Sequence, residues 1–157
     1  MDDRERFQRQ MSIETVRELV AACHDGERGY AEASKEARDA DLKVTCDLLA
    51  QERAAFAERL DAALQHYGRH APGYGTVSGD LHHAWMRARA ALENHRPSSI
   101  LAECERGEFH TMKLYEKAMK DDLPAFIDEI VGEQYVAISE THQKLQRMRE
   151  RPYVLPG

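Results

Sequence analysis

Four polar residues stand where the apolar seams of helices normally carry hydrophobic side chains. They are Glu27, Glu52, Glu108 and Gln134. Glu27 shows the pattern: it lies four residues after Cys23 and three before Tyr30, so the three side chains share one face of a helix. Carboxylate and amide oxygens offered from facing helices are suitable ligands for iron or manganese. These residue types therefore indicate a candidate metal site, provided that the helices bring them together.

The four residues are expected at one level of a helical bundle. Glu27 and Glu52 lie equally far from the turn predicted between their helices, and Glu108 and Gln134 lie about equally far from the turn between theirs. Buried carboxylates repel one another and are costly unless they are paired or protonated. Two arrangements would relieve that cost: shared protons with hydrogen bonds to Tyr30 and Gln134, or one or two bound cations. The pattern predicts a buried polar layer and leaves its chemistry open.

Helical periodicity dominates the rest of the chain. Apolar residues recur at three- and four-residue steps in four long segments, and no segment shows the alternation typical of a strand. We predict that Ser12 caps the first helix and that Asp39 or Asp41 caps the second. The third helix opens at the sequence RPSS, and Pro124 suits the first turn of the fourth.

The lengths of the connections predict the topology. Tight turns join the first helix to the second and the third to the fourth, so each pair forms an antiparallel hairpin. About thirty residues separate the hairpins and contain a short fifth helix, near residues 81–95, with the only tryptophan, Trp85. This crossover lets the third helix begin at the end of the bundle where the second began. We therefore predict an all-α, ferritin-like four-helix bundle.

The two predicted hairpins carry similar sequences. LVAACHDGE in the first helix recurs as ILAECERGE in the third, at an offset of 81 that aligns Glu27 with Glu108. LLAQERAAFAE in the second helix recurs as IVGEQYVAISE in the fourth, at an offset of 82 that aligns Glu52 with Gln134. We interpret the similarity as a repeated hairpin, with an approximate twofold axis through the bundle.

Four stretches resemble a known family when taken in order: CHDGERGY, QERAAF, GTVSGDLHHAW and ERGEFHTMKLYEKAM. They are similar to an uncharacterised bacterial family of four-helix-bundle proteins, a domain of unknown function within the ferritin-like superfamily. The resemblance covers about residues 12–148 and implies the fold. It implies no activity, because none is assigned to that family.

Di-iron members of the superfamily place a Glu on each of two helices and a Glu-x-x-His on each of the other two. By this resemblance Glu27 and Glu108 correspond to the single glutamates, Glu52 begins one Glu-x-x-His motif, and Gln134 stands at the start of the other. Alanine replaces the histidine in both motifs, which puts tight di-iron binding in question. Four neighbouring residues would supplement the site: Tyr30, Glu105, Cys23 and Cys104. The two cysteines fit better as small thiols of the core than as ligands.

Composition limits the classes of partner and location. The chain has 157 residues, 32% of them charged and 7% aromatic, with a formal net charge of -6. This balance is typical of one helical domain with solvated outer faces, and it disfavours nucleic acid and anionic membrane as partners. No apolar run is long enough to span a membrane, and the charged N-terminus does not resemble a secretory signal. Three cysteines within helical patterns indicate reduced thiols, so we expect a cytoplasmic protein.

The chain is expected to divide into a flexible leader over residues 1–11, one bundle domain over residues 12–150, and a tail over residues 151–157. The charge-rich faces of the first and fourth helices are expected to be solvated, or to form a dimer interface where apolar side chains break through them. We expect a homo-oligomer, a dimer in the simplest case.

Two functional hypotheses follow from these observations. In the first, the polar layer binds iron or another divalent metal, and the protein serves in metal handling or in protection against oxidative stress. In the second, the bundle is free of metal, the polar layer holds the helices in register, and the surface binds a partner through the crossover helix or the tail RPYVLPG. The residues indicate no reaction, so catalysis and the identity of a protein partner stay open.

Overall fold

A computed structural model describes residues 2–68 and 96–151, and these residues form four α-helices with no β-strand among them. The helices are α1 (Asp3–Glu36), α2 (Ala40–Gln65), α3 (Pro97–Met119) and α4 (Ala125–Glu150). The prediction of an all-α bundle is confirmed. The predicted fifth helix, with Trp85, and nearly all of the predicted tail lie outside the described residues. No helix of the described chain is long and apolar enough to cross a membrane.

Helix α1 begins at Asp3, so the predicted start at Ser12 is wrong and residues 3–11, expected in a flexible leader, are helical. The cause is a capping box: the Glu5 backbone N–H donates to the Asp2 side chain at 2.8 Å, and the Asp2 backbone N–H donates to the Glu5 side chain at 3.2 Å. Ser12 lies inside the helix, where its hydroxyl donates to a main-chain oxygen one turn earlier, at 2.9 Å.

The boundaries of α2 follow the sequence signals closely. Asp39 caps the helix, as predicted, because its carboxylate accepts the backbone N–H of Leu42 at 2.8 Å. Beyond the last turn, Gly68 adopts a φ of +68°, a left-handed conformation that glycine reaches without steric cost. The two signals mark the ends of α2, and the helix packs extensively against α1 as an antiparallel hairpin.

The core of the described residues consists of two clusters that show which helix ends meet. One cluster joins the end of α1, the start of α2, the start of α3 and the end of α4, through Ala33, Leu42, Ile100 and Leu145. The other joins the opposite ends of the same helices, through Ile13, Leu64, Ala118 and Ile127. Helices α3 and α4 are therefore also antiparallel, and α3 begins at the opposite end of the bundle from the end of α2. This is the order of directions that the connection lengths predict.

The helices do not pack equally closely. Packing is most extensive within the two hairpins, less so between α1 and α3, and less again between α2 and α4. An open groove of about 360 Å³ runs between α2 and α4. Its lining carries charges of both signs, including Glu52 from α2 and Glu140, Lys144 and Arg147 from α4.

Candidate functional site: a buried polar layer between the core clusters

Glu108 of α3 forms a two-pronged ion pair with Arg53 of α2 in the middle of the bundle. The Arg53 Nη2 donates to Glu108 Oε1 at 2.6 Å, and Nη1 donates to Oε2 at 3.0 Å. Both side chains are essentially excluded from solvent. Parallel N–H···O bonds between a guanidinium and a carboxylate combine charge with fixed geometry, so this contact is among the strongest polar contacts available to a core. It joins one hairpin to the other.

Tyr30 of α1 adds a third group to the pair, because its hydroxyl donates to Glu108 Oε2. Burial raises the pKa of Tyr30 well above its usual value, and the charge of Glu108 raises it further, so the phenol stays protonated and able to donate. The Arg53 guanidinium also lies 5.6 Å from the ring centroids of both Tyr30 and Phe56. At that distance the aromatic faces attract the cation.

Arg53 keeps its charge in spite of its burial. Burial alone lowers the pKa of Arg53, but the charge of Glu108 outweighs that effect and the net shift is upward. The Nε of Arg53 is buried and has no hydrogen-bond partner among residues 2–68 and 96–151. The stem of Arg53 passes Gly26 of α1, where an added methyl group would lie 3.5 Å from Arg53 Cγ, an ordinary van der Waals distance. Gly26 therefore borders the layer, although an alanine would also fit there.

A second set of hydrogen bonds completes the layer on the remaining helix. The Tyr115 hydroxyl of α3 donates to Gln134 Oε1 of α4 at 2.6 Å, and Gln134 Nε2 donates to the main-chain oxygen of Phe56 at 3.3 Å. The Cys23 Sγ of α1 lies 3.2 Å from the Tyr115 oxygen. Because the hydroxyl proton of Tyr115 is directed at Gln134, the Cys23 thiol is the donor in this contact.

The thiol and the phenol are both neutral at physiological pH. Burial raises the pKa of Cys23 to about 11. Burial also raises the pKa of Tyr115 well above its usual value, and Cys23 adds to that effect. We call these two hydrogen-bonded sets together the central polar layer; its members, drawn from all four helices, are Cys23, Tyr30, Arg53, Glu108, Tyr115 and Gln134.

The structure brings only some of the predicted site residues together. Glu108 and Gln134 are buried in the layer, with Tyr30 and Cys23 beside them. The expectation that Glu27 and Glu52 are buried there is corrected: the Glu27 side chain is 39% exposed and 3.4 Å from His24 Nδ1. The Glu52 side chain is 35% exposed, 3.4 Å from Arg53 Nη2, and lines the surface groove.

The proposed supplementary residues also find other partners. Glu105 lies on the outer side of α3, where Arg149 of α4 donates to it at 2.8 Å. Cys104 of α3 is buried in the core cluster that includes the C-terminal end of α1, in hydrogen-bond contact with Cys46 of α2. That contact and burial together raise the pKa of Cys104. All three cysteines are buried free thiols.

Arg53 is the functional residue that the sequence patterns did not reveal. It lies four residues after Leu49 and four before Ala57, both buried, so it is in phase with the seam of α2. It also stands 81 residues before Gln134, the same offset that relates Glu27 to Glu108. The offset of 82 places Glu52 opposite Gln134 instead. An offset of 81 in both helices would have identified the arginine.

The donor set does not fit the di-metal centre that the resemblance implies. Both oxygens of Glu108 accept hydrogen bonds from a guanidinium, and a cation placed beside them would be repelled by Arg53. Within residues 2–68 and 96–151, no three His, Cys, Asp or Glu side chains are close enough together to hold a metal ion.

The fold and the central polar layer define the class of protein: an all-α helical bundle with a buried ion pair between its two hairpins. Residues 11–122 match the family model described as a domain of unknown function (DUF2383), and the chain belongs to this family. The matched region includes Arg53, Glu108 and Tyr115 and ends before α4, which carries Gln134. No curated protein matches the chain significantly.

Proposed function

We propose that the protein is a ferritin-like bundle in which an arginine–glutamate ion pair takes the place of a metal centre, and that it acts as a structural or partner-binding protein. The directions of the helices support the ferritin-like part of this proposal. Two antiparallel hairpins are present, and the chain leaves α2 at one end of the bundle and enters α3 at the other. A single long crossover between hairpins is the connectivity of ferritin-like folds.

The observation that carries the proposal is the double hydrogen bond between Arg53 and Glu108. In a di-metal bundle, the inward glutamates point at cations, and their charge is neutralised there. Here the chain supplies its own cation at that level, and Tyr30 satisfies the carboxylate further. The layer therefore has no uncompensated negative charge left for a metal to neutralise.

The same contacts support a role in holding register. A slip of one helical turn between the hairpins would separate Arg53 from Glu108 and leave two unpaired charges in the core. Breaking a buried pair in this way costs roughly 3–5 kcal/mol. A polar layer of this kind favours one register of the four helices, whose apolar seams are otherwise similar. Because the layer is internal, the outer faces of the helices stay free to bind partners. The three buried free thiols are in keeping with a reducing compartment, and a cytoplasmic location stays a prediction.

Metal analysis of the purified protein tests the proposal directly. The protein is produced in cells supplied with iron and, separately, with manganese, and its metal content is measured by mass spectrometry. We expect far less than one metal per chain under either supply, and we expect a chelator to leave the melting temperature unchanged.

A matched variant shows whether any bound metal depends on the central polar layer. Glu108→Ala removes the one fully buried glutamate among the predicted ligands, and it should leave the low metal content as it was. Metal at one or two ions per chain in the parent protein, lost in Glu108→Ala, would overturn the proposal and restore the hypothesis of iron or manganese handling.

A further inference from the structure

Helix α1 carries a stripe of exposed side chains that no element of the described bundle covers. Its members alternate three- and four-residue steps along one face: Arg4, Phe7, Met11, Glu14 and Glu18. We call this set the α1 stripe. Phe7 is 66% exposed and Met11 is 42% exposed, although both are large and apolar. Spacing of this kind is the pattern with which one helix packs along another.

Other faces of α1 hold the bundle at this end. Arg9 donates to the main-chain oxygen of Tyr67 at 3.3 Å, and Gln8 donates to Asp122 at 2.7 Å. Beside Met11, a shallow groove of about 100 Å³ runs between α1 and α3 and is lined in part by Leu114 and Lys117. The groove lining is mixed, with apolar side chains such as Leu114 beside charged ones such as Lys117, so the surface next to the stripe offers both apolar and charged contacts.

The α1 stripe is complementary to itself when two copies run antiparallel. The midpoint between Phe7 and Met11 is position 9, and Arg4 and Glu14 lie five residues on either side of it. In an antiparallel pair crossing at that midpoint, each Phe7 faces a Met11 and each Arg4 faces a Glu14. A parallel pair would instead set Arg4 against Arg4 and Glu14 against Glu14, which is repulsive.

We propose that two copies of this chain associate through their α1 stripes, antiparallel and related by a twofold axis near position 9. Two apolar contacts at the centre are flanked by two opposite-charge contacts, which is the arrangement of core and rim found in protein interfaces. Pairing over about four turns of one helix buries less than the roughly 1,200–2,000 Å² of a standard interface. The dimer is therefore weak and sensitive to salt and concentration.

The inference is independent of the proposed function. The stripe and the central polar layer share no residue: the stripe lies on the outside of the bundle and the layer on the inside. Metal content therefore tests the proposed function, and self-association separately tests this inference. Failure of one leaves the other in place.

Sedimentation equilibrium over a concentration series, from low micromolar upwards, tests the proposal on the full chain. We expect a monomer–dimer equilibrium. Phe7→Ala should weaken it about tenfold or more, since both copies lose a central aromatic contact. Val136→Ala, at a residue of α4 that is 55% exposed, is the control and should leave the dissociation constant unchanged. A protein that stays monomeric throughout would overturn the proposal.

Charge exchange tests the antiparallel register itself. Arg4→Glu places like charges together twice and should weaken association about tenfold. Adding Glu14→Arg to the same chain restores opposite charges at both contacts, so the double variant should regain most of the parental affinity. If the double variant associates no better than Arg4→Glu alone, the proposed register is wrong. Both residues are exposed, so melting curves at low concentration should match those of the parent protein.

Discussion

Glu27 and Glu108 occupy matching places in two similar stretches of sequence, yet their surroundings differ. Glu108 is fully buried, and Arg53 and Tyr30 contact its two oxygens. Glu27 is partly exposed, and its contact is His24, three residues earlier on the same helix. Similar local sequence therefore produces two glutamates with different roles, because burial of a charge depends on what the facing helices supply.

The difference extends to both hairpins. The first hairpin supplies the cation of the layer, Arg53, and the second supplies its anion, Glu108. Gln134 of α4, which corresponds to Arg53 at the offset of 81, is buried with an uncharged amide. A strictly symmetric layer would hold two glutamates and two arginines, that is four buried charges, whereas this layer buries only the Arg53–Glu108 pair. Dividing the charges between the hairpins makes the halves complementary, so each needs the other.

The largest expected change in stability comes from replacing Glu108, and replacing the matched Glu27 is its control. Glu108→Gln leaves Arg53 buried without its counter-charge, and we expect a loss of about 3–5 kcal/mol in the free energy of unfolding. Glu27→Gln should change it by less than about 0.5 kcal/mol, because the side chain is partly exposed and its removal leaves no buried charge unpaired. Urea unfolding of both variants measures the contrast.

A double variant separates the ion pair from the space it fills. Arg53→Met together with Glu108→Gln removes both charges and keeps similar volumes. It should be more stable than Glu108→Gln alone, by about 1–3 kcal/mol. Additive losses in the double variant would mean that the two side chains act separately, which is incompatible with the contrast between the hairpins.

Sequence reasoning predicted four helices, their directions and a polar layer at mid-height, because apolar spacing and turn chemistry are local signals. It placed Glu108, Gln134, Tyr30 and Cys23 near that layer for the same reason. Two placements were wrong: Glu27 of α1 is partly exposed, and α2 is rotated about its axis relative to the prediction. Glu52 lies between Leu49 and Phe56, but Arg53 lies between Leu49 and Ala57, and adjacent positions differ by about 100° around a helix.

The choice between those two rotations depends on tertiary packing. Arginine and glutamate are both rarely buried unless they are paired, so residue type does not decide between positions 52 and 53, and the counter-charge on α3 selects Arg53. The apolar pattern did not predict where α1 starts, for a different reason. Its first turns bury little, and their stability depends on the Asp2–Glu5 capping box, which that pattern does not include.

The pH dependence of stability compares the buried thiols of the two hairpins. Burial raises the pKa of Cys23 from 9.0 to about 11, so between these values the unfolded chain loses a proton that the folded chain keeps. The stabilisation is complete below pH 9 and is lost as the pH rises towards 11, by roughly 2–3 kcal/mol for this group. Tyr30 and Tyr115, whose pKa values are also raised, act in the same direction.

Urea midpoints measured from pH 7 to pH 10.5 follow that loss. The decline above pH 9 should be shallower in Cys23→Ala, which is less stable at pH 7 but has one proton fewer to lose. Cys104→Ala tests the matched cysteine, whose pKa is raised mainly by its contact with Cys46 and further by burial. An unchanged pH profile in Cys23→Ala would show that the buried thiol does not contribute to the pH dependence.

The smallest effects are expected at two glycines, with opposite signs. Gly26→Ala adds a methyl group at ordinary contact distance from the flexible stem of Arg53 and removes a glycine from the middle of α1, so stability should rise by up to about 1 kcal/mol. Gly68→Ala forces an alanine into a left-handed conformation and should cost about 1–2 kcal/mol. Urea unfolding compares them. If Gly26→Ala were destabilising instead, the stem of Arg53 would have no freedom to adjust, and the first hairpin would hold its cation as rigidly as the second holds Glu108.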